Sequence, residues 1–294
     1  MTAVSVRQQL GNLYPFSSHF HDLGGVKMHY VDEGEGSPLV MVHGNPTWSF
    51  YFRELITAFR DQHRVIAVDH VGCGMSDKPQ SYPYTLRQHT ENLTSLLDHL
   101  GVDDVTLVVH DWGGAIGFGW AARNTERVRQ SVVFNTAAWL GTPGPLRIWL
   151  SGLPLVGEVS IRGLNGFARA ALFMAVGSGK RLPRDVARGL LAPYRSYADR
   201  VAHLAFVRDI PYGPRVPSHA ELAETESLLP GLADKPMLIC WGGQDFCFND
   251  AFLAEWKARF PQADVHRFAD AGHYVVEDAC DRIVPLMRDF LANA

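Results

Sequence analysis

Asp111 is the residue from which a chemistry can be read. It ends the apolar run VTLVVHD (105–111) and is followed at once by Trp112-Gly113-Gly114 and a stretch with helical spacing. A strand that turns sharply into a helix, with small residues after the turn, lifts the residue at its apex above the sheet edge. The helix N-terminus and neighbouring N–H groups there favour an ionised carboxylate. Such a carboxylate attacks saturated carbon to give an ester intermediate. The competing reading is that Asp111 only caps the helix that follows it.

Three further segments bear on that choice. His43-Gly44-Asn45-Pro46 closes another apolar run. Backbone N–H groups from this loop and from Trp112 would surround the apex, and the Asn45 and Trp112 side chains add two donors able to hold a departing anion. His273, in Asp270-Ala271-Gly272-His273, follows the short run VHRFAD (265–270) and stands where a late-chain catalytic histidine belongs, although a lone histidine is more often structural. Asp245, in CWGGQDFCFN (240–249), is the acid expected to orient His273 and stabilise its imidazolium. Asp69 and Asp77 compete with it, and Asp77 reads as part of a structural turn, Gly72-Cys73-Gly74-Met75-Ser76-Asp77.

These residues need a scaffold, and the pattern supplies one. Residues 26–34 alternate like a strand. Runs 38–44, 64–72, 105–111, 129–135 and 236–242 are short and almost wholly apolar, as expected of parallel strands covered on both faces. Between and after them, 49–60, 86–100, 113–124, 252–260 and 281–291 carry apolar residues at helical spacing. Alternation of strand and helix predicts an α/β fold, a mostly parallel doubly wound sheet. The rhythm breaks from 137 to 217, where Gly- and Pro-punctuated helical pieces such as 159–176 and 183–194 replace strands. The expected organisation is a core of 1–136 and 218–294 with a helical cap, 137–217, over the C-terminal ends of the strands. The cap is basic: eleven Arg and Lys residues stand against Glu158, Asp185, Asp199 and Asp209. That is either a solvated surface or a face that docks on an acidic protein or an anionic membrane.

Composition narrows the class. The 294 residues, 47% hydrophobic and 20% charged, fit a globular protein with a sizeable core. A formal net charge of -4 gives no reason to expect nucleic acid. No apolar run approaches the roughly 20 residues that span a bilayer. The first residues lack the apolar region of a secretory signal, so the expected compartment is the cytoplasm. Cys73, Cys240, Cys247 and Cys280 form no CxxC pair and are expected to be reduced. The 13 histidines show no metal-ligand spacing, and neither metal nor other cofactor is expected.

The segment Val108-Val109-His110-Asp111-Trp112-Gly113 closely resembles the nucleophile elbow of the haloalkane dehalogenases, a branch of the α/β-hydrolases, and His43-Gly44-Asn45-Pro46-Thr47 is similar to their halide-stabilising loop. The resemblance spans the core and is weakest in the cap. It implies the α/β-hydrolase fold, with its chain order of nucleophile, acid and histidine, and halide-binding roles for Asn45 and Trp112. Some members carry the acid after the strand preceding the cap. That position is Asn135 here, an amide, which leaves Asp245 as the acid. Residues 134–139, 162–176, 206–211, 241–250 and 270–279 resemble more closely still the β-lactone decarboxylases of bacterial long-chain olefin biosynthesis. That similarity implies decarboxylation of a dialkyl cis-β-lactone to a cis-alkene and carbon dioxide, in an assembly with the enzymes that make the lactone, which would give the basic cap something to dock on; peripheral membrane proximity is the other expectation, from the cap's charge alone.

The alternatives are a haloalkane dehalogenase, an epoxide hydrolase using cap tyrosines (Tyr194, Tyr197 and Tyr212 are available), and a non-catalytic binding module. The presence of Asp111, Asp245 and His273 together argues against the last. For an apolar substrate channel the candidates are Trp139, Leu146, Trp149, Leu150, Phe167, Leu172, Phe173 and Phe206, which packing between cap helices would explain equally well.

Overall fold

In the computed structural model, which describes residues 3–141 and 144–293, eight strands form one sheet in the order β1-β2-β4-β3-β5-β6-β7-β8. The strands are β1 (His19–Asp22), β2 (Lys27–Glu33), β3 (Pro38–Val42), β4 (Arg64–Val68), β5 (Val105–His110), β6 (Val128–Phe134), β7 (Met237–Gly242) and β8 (Asp264–Phe268). The β1–β2 and β2–β4 pairs are antiparallel and all others parallel. The central strands β5 and β7 are buried at every residue, which is why their sequences are continuous apolar runs. β1, sequence HFHD, is an exposed edge strand; it has no apolar face, so no strand is readable there from periodicity.

The helices are α1 (Ala3–Leu10), α2 (Arg53–Phe59), α3 (Leu86–Leu100), α4 (Trp112–Ala121), α5 (Leu146–Ser151), α6 (Gly166–Met174), α7 (Arg184–Leu191), α8 (Val201–Arg208), α9 (Pro217–Leu228), α10 (Asp250–Arg259) and α11 (Val275–Ala292). α3 has the span its spacing predicts. Thr85 caps it by accepting from the Gln88 N–H, and Gly101 ends it at φ 58°. The helix expected over 49–60 opens with a 3₁₀ turn, Ser49–Phe52, before α2. The last helix starts six residues earlier than its spacing predicts, because Val275, Val276 and Ala279 are buried ahead of a kink at Ala279.

Between β6 and β7 the chain forms α5, a π-helical segment Glu158–Gly163, α6, α7 and α8 before reaching α9. The helical piece expected over 159–176 is two elements, broken where Asn165 turns left-handed (φ 55°) and its amide donates to the Tyr194 carbonyl. α9 leaves this layer and packs on α3 and α4. Two large apolar clusters lie on the two sides of the sheet, and a small one (Ile148, Ile161, Leu204, Val207) sits within the inserted helices. The fold therefore leaves space between the strand C-termini and the inserted helices.

Candidate active site

β5 and α4 meet at Asp111, whose backbone is held at φ 53°, ψ -128°, a conformation costly for a residue with a side chain. The bend is tolerated because glycine follows: a Cβ at Gly113 would collide with the Val42 carbonyl, and one at Gly114 with the Thr136 side chain. Thr136 in turn donates its hydroxyl to the Asp111 carbonyl.

The Asp111 side chain makes no capping bond to α4. Its Oδ1 accepts from the Asn45 backbone N–H at 2.6 Å, and the neighbouring Trp112 N–H favours the charged form. Oδ2 lies 3.6 Å from His273 Nε2. One oxygen is thus fixed by the Asn45 amide, and the other faces the histidine. Burial raises the Asp111 carboxyl above its ordinary value, opposed by the His273 charge and by the two amides.

His273 Nδ1 is 2.7 Å from Asp245 Oδ2. The other Asp245 oxygen accepts from the Cys247 N–H at 2.6 Å, so the acid has one orientation. Burial alone would lower the His273 pKa; the Asp245 charge, its hydrogen bond and the Asp111 charge outweigh that and raise it. Three groups far apart in sequence thus form one chain, Asp111–His273–Asp245. Beneath it His110 Nε2 lies 2.8 Å from the His273 carbonyl oxygen, and the Phe248 ring stacks on His273 at 5.8 Å.

The structure explains the residues left out of this chain. Asn135 donates to the Gly242 carbonyl and accepts from the Gly242 N–H, tying β6 to β7 below the Asp245 loop. Asp69 is buried against His29 at 2.8 Å and accepts from the Ser49 and Met75 N–H groups. Asp77 accepts from the Lys27 N–H. Both shape turns, and neither meets His273. The four cysteines are free, and Cys73 and Cys240 are buried.

Above Asp111 lies a cavity of about 540 Å³. Asn45, Asp111, Trp112 and His273 line it with a largely apolar wall from α5, the π-helical segment, α6, α8 and the loop after β7. Of the channel candidates, Trp139 and Phe167 line it. Phe206 does not; it is buried behind Trp112, with ring centroids 5.3 Å apart. Trp149 and Phe173 do not either, because they lie on the outer faces of α5 and α6 and are exposed, as are Leu146 and Leu150. Leu172 packs toward the core instead. Much of the wall is formed by residues not among those candidates: Ile148, Ile161, Ala170, Val207, Ile210, Phe246 and Phe248. Ala170, at the same helix face as Phe167, had a signal: spacing of three from a residue already singled out.

Asn45 is pinned as well as placed. Its Nδ2 donates to the His203 carbonyl of α8 at 3.2 Å, which uses one of two amide hydrogens. Among the described residues nothing accepts from the Trp112 indole N–H. Of the three tyrosines, only Tyr212 lines the cavity; Tyr194 is engaged with Gly74 and Thr47, and Tyr197 with Glu158. The tyrosine pair an epoxide hydrolase would need is not assembled.

A carboxylate at the apex of a strand–helix turn, with an acid–histidine pair from later strand ends, defines an α/β-hydrolase site. The α/β hydrolase fold family model matches residues 37–157. The haloalkane dehalogenase DatA from Agrobacterium tumefaciens superposes with a TM-score of 0.86 at 26% identity, over 97% of this chain and 99% of that one. A cis-3-alkyl-4-alkyloxetan-2-one decarboxylase from Shewanella oneidensis is 45% identical over 97% of this chain and 91% of its own length. A protein of the same name from Xanthomonas campestris pv. campestris is 40% identical over 91% and 93%, respectively. Haloalkane dehalogenase 2 of Mycobacterium tuberculosis is more distant, at 33% over 92% and 93%. The chain belongs to the haloalkane dehalogenase-like α/β-hydrolases and, within them, to the family of the cis-3-alkyl-4-alkyloxetan-2-one decarboxylases.

Proposed function

We propose that this protein decarboxylates a long-chain dialkyl cis-β-lactone to a cis-alkene and carbon dioxide, with Asp111 as nucleophile. What carries the reading is identity to two decarboxylases across nearly the whole chain, in a protein whose site presents a buried carboxylate beneath an apolar cavity. Residues 137–217 act as the cap that closes the cavity, and 1–136 with 218–294 as the core.

Asp111 Oδ2 attacks the ring carbon that bears the lactone oxygen. The C–O bond breaks, an ester to Asp111 forms, and the released carboxylate lies beside the Trp112 indole N–H and the second Asn45 amide hydrogen. Then the bond to the carboxylate carbon breaks, its electrons form the alkene, and Asp111 leaves as a carboxylate. Inversion followed by anti elimination is a net syn loss, so a cis lactone gives a cis alkene. Atoms balance without water or an external proton. His273, its pKa raised by Asp245, supplies positive charge near the bound carboxylate. Trp139 and Phe167 contact the alkyl arms. The protein works in the cytoplasm beside the enzymes that make the lactone; among the described residues no helix is long and apolar enough to cross a membrane.

Product analysis tests this. A synthetic dialkyl cis-β-lactone should give alkene with carbon dioxide, and in ¹⁸O-water no labelled hydroxy acid. Labelled hydroxy acid without alkene would refute it. Halide release from bromoalkanes at comparable efficiency would favour the dehalogenase reading, which the Asn45–Trp112 pair beside Asp111 also fits.

A further inference from the structure

The walls of the cavity have an outer side. α5 turns Ile148 and Ser151 to the cavity and Leu146, Trp149 and Leu150 outward. α6 lines the cavity with Phe167 and Ala171 and exposes Phe173. Among the described residues, nine of the thirteen large apolar side chains with substantial exposure fall within 146–174, and all of these but Met174 lie off the cavity wall. Such concentration is unusual on a surface that meets only water.

Leu155 is the most exposed of these, at 79%, and it stands at φ 64°. A branched L residue is disfavoured in that region, and this side chain recovers little by packing within the chain. The turn that carries it leads into the π-helical segment, where Val159 and then Leu164 are also exposed.

Charge accompanies the apolar side chains. From 144 to 188 the sequence has seven Arg and Lys residues and two carboxylates, Glu158 and Asp185. Glu158 is paired with Arg162 and Arg208. Arg169, Arg181, Arg184 and Arg188 are exposed and have no ion-pair partner among the described residues.

We propose that the outer face of 146–174, with the arginines around it, docks this protein on a bilayer that carries anionic headgroups. Apolar side chains entering the acyl boundary beside unpaired cations are the chemistry of interfacial binding. A second copy fits less well, since a two-fold contact would set this cationic face against itself. The same short helices form the cavity wall, so docking would bring the cavity next to the acyl region. A lactone with two long alkyl arms, and the alkene it yields, partition there; this link alone rests on the decarboxylase reading.

Flotation of the intact protein with lipid vesicles tests the proposal. It should float with phosphatidylcholine–phosphatidylglycerol vesicles, and capture should fall at least about tenfold with phosphatidylcholine alone or in high salt. The double variant Leu155→Asp, Leu164→Asp should bind the anionic vesicles about a hundredfold more weakly. It should keep its circular dichroism and its turnover of a short-chain lactone in solution. Three results would each overturn the proposal: no flotation with anionic vesicles, equal flotation of a folded double variant, or a stable native dimer in sedimentation velocity that the variant dissolves. Capture by an acidic protein without flotation would also overturn it. Flotation without alkene formation would refute the decarboxylase reading and leave the docking surface standing.

Discussion

His273→Gln separates decarboxylation from hydrolysis more sharply than loss of the nucleophile does. In a hydrolytic cycle His273 must take a proton from the water that cleaves the Asp111 ester. In the proposed decarboxylating cycle no proton moves, and the role left to His273 is through charge. Its Nε2 lies 3.6 Å from Asp111 Oδ2, and both side chains are at least nine-tenths buried. At an effective dielectric of about 20, a full charge pair at that distance is worth about 4–5 kcal/mol, or about 10³-fold in rate at most. Much of that attraction exists already in the ground state, where Asp111 is the anion; the attack only moves the charge to the substrate carboxylate nearby. The expected loss in alkene formation is therefore about 10- to 100-fold. Asp111→Ala should abolish it. The assay is gas chromatography of alkene from a cis-β-lactone, with intact-protein mass spectrometry of the same samples. His273→Gln should turn over without accumulating a covalent adduct. A stoichiometric, stable lactone adduct in this variant, or a loss as complete as that of Asp111→Ala, would refute the reasoning.

The remaining predictions concern the pieces around that pair. Turnover should fall on the acid side as Asp111 is protonated, at a pH above that of an ordinary carboxylate because burial raises its pKa. It should fall on the alkaline side as pH rises through the raised His273 value; Asp245→Asn removes the charge that raises it, so that limb should move to lower pH. Trp112→Phe removes a donor with no partner among the described residues, and kcat should drop about 10- to 100-fold with unchanged thermal stability. Glu277→Ala removes the nearer carboxylate of the buried Arg53, at 2.5 Å, leaves it only the exposed Glu54 at 3.5 Å, and should cost about 3 kcal/mol in denaturant unfolding while a folded remainder stays active.

Legibility in the sequence followed the range of the interaction. The apolar runs of β3 to β7 were readable because burial on both faces demands them, and α3 because Thr85 and Gly101 mark its ends locally. β1 was not, since its residues HFHD carry no periodicity and its pairing to β2 is what makes it a strand. Within 137–217 the helical character was readable and the faces were not. Trp149 and Phe173 suit a channel by type, yet which side of a short helix meets the cavity depends on the helices it packs against. Phe206 shows the same limit: it supports Trp112 from behind.

By itself the sequence determined the chemistry of the individual groups. A carboxylate at a strand–turn–helix apex, two flanking donors, and an acid and a histidine late in the chain were all present as residue types in a telling order. Only the tertiary structure decided how they act on one another. It brought Asp245 and His273 to 2.7 Å, gave Asn135 a structural bond to Gly242 in place of an acid's role, and fixed one Asp111 oxygen while leaving the other toward His273. It also divided the apolar residues of 146–174 between a cavity and an exposed face. The physical reason is that residue type sets what a group can do, whereas direction and pKa depend on neighbours that lie 28 to 163 positions away in the chain.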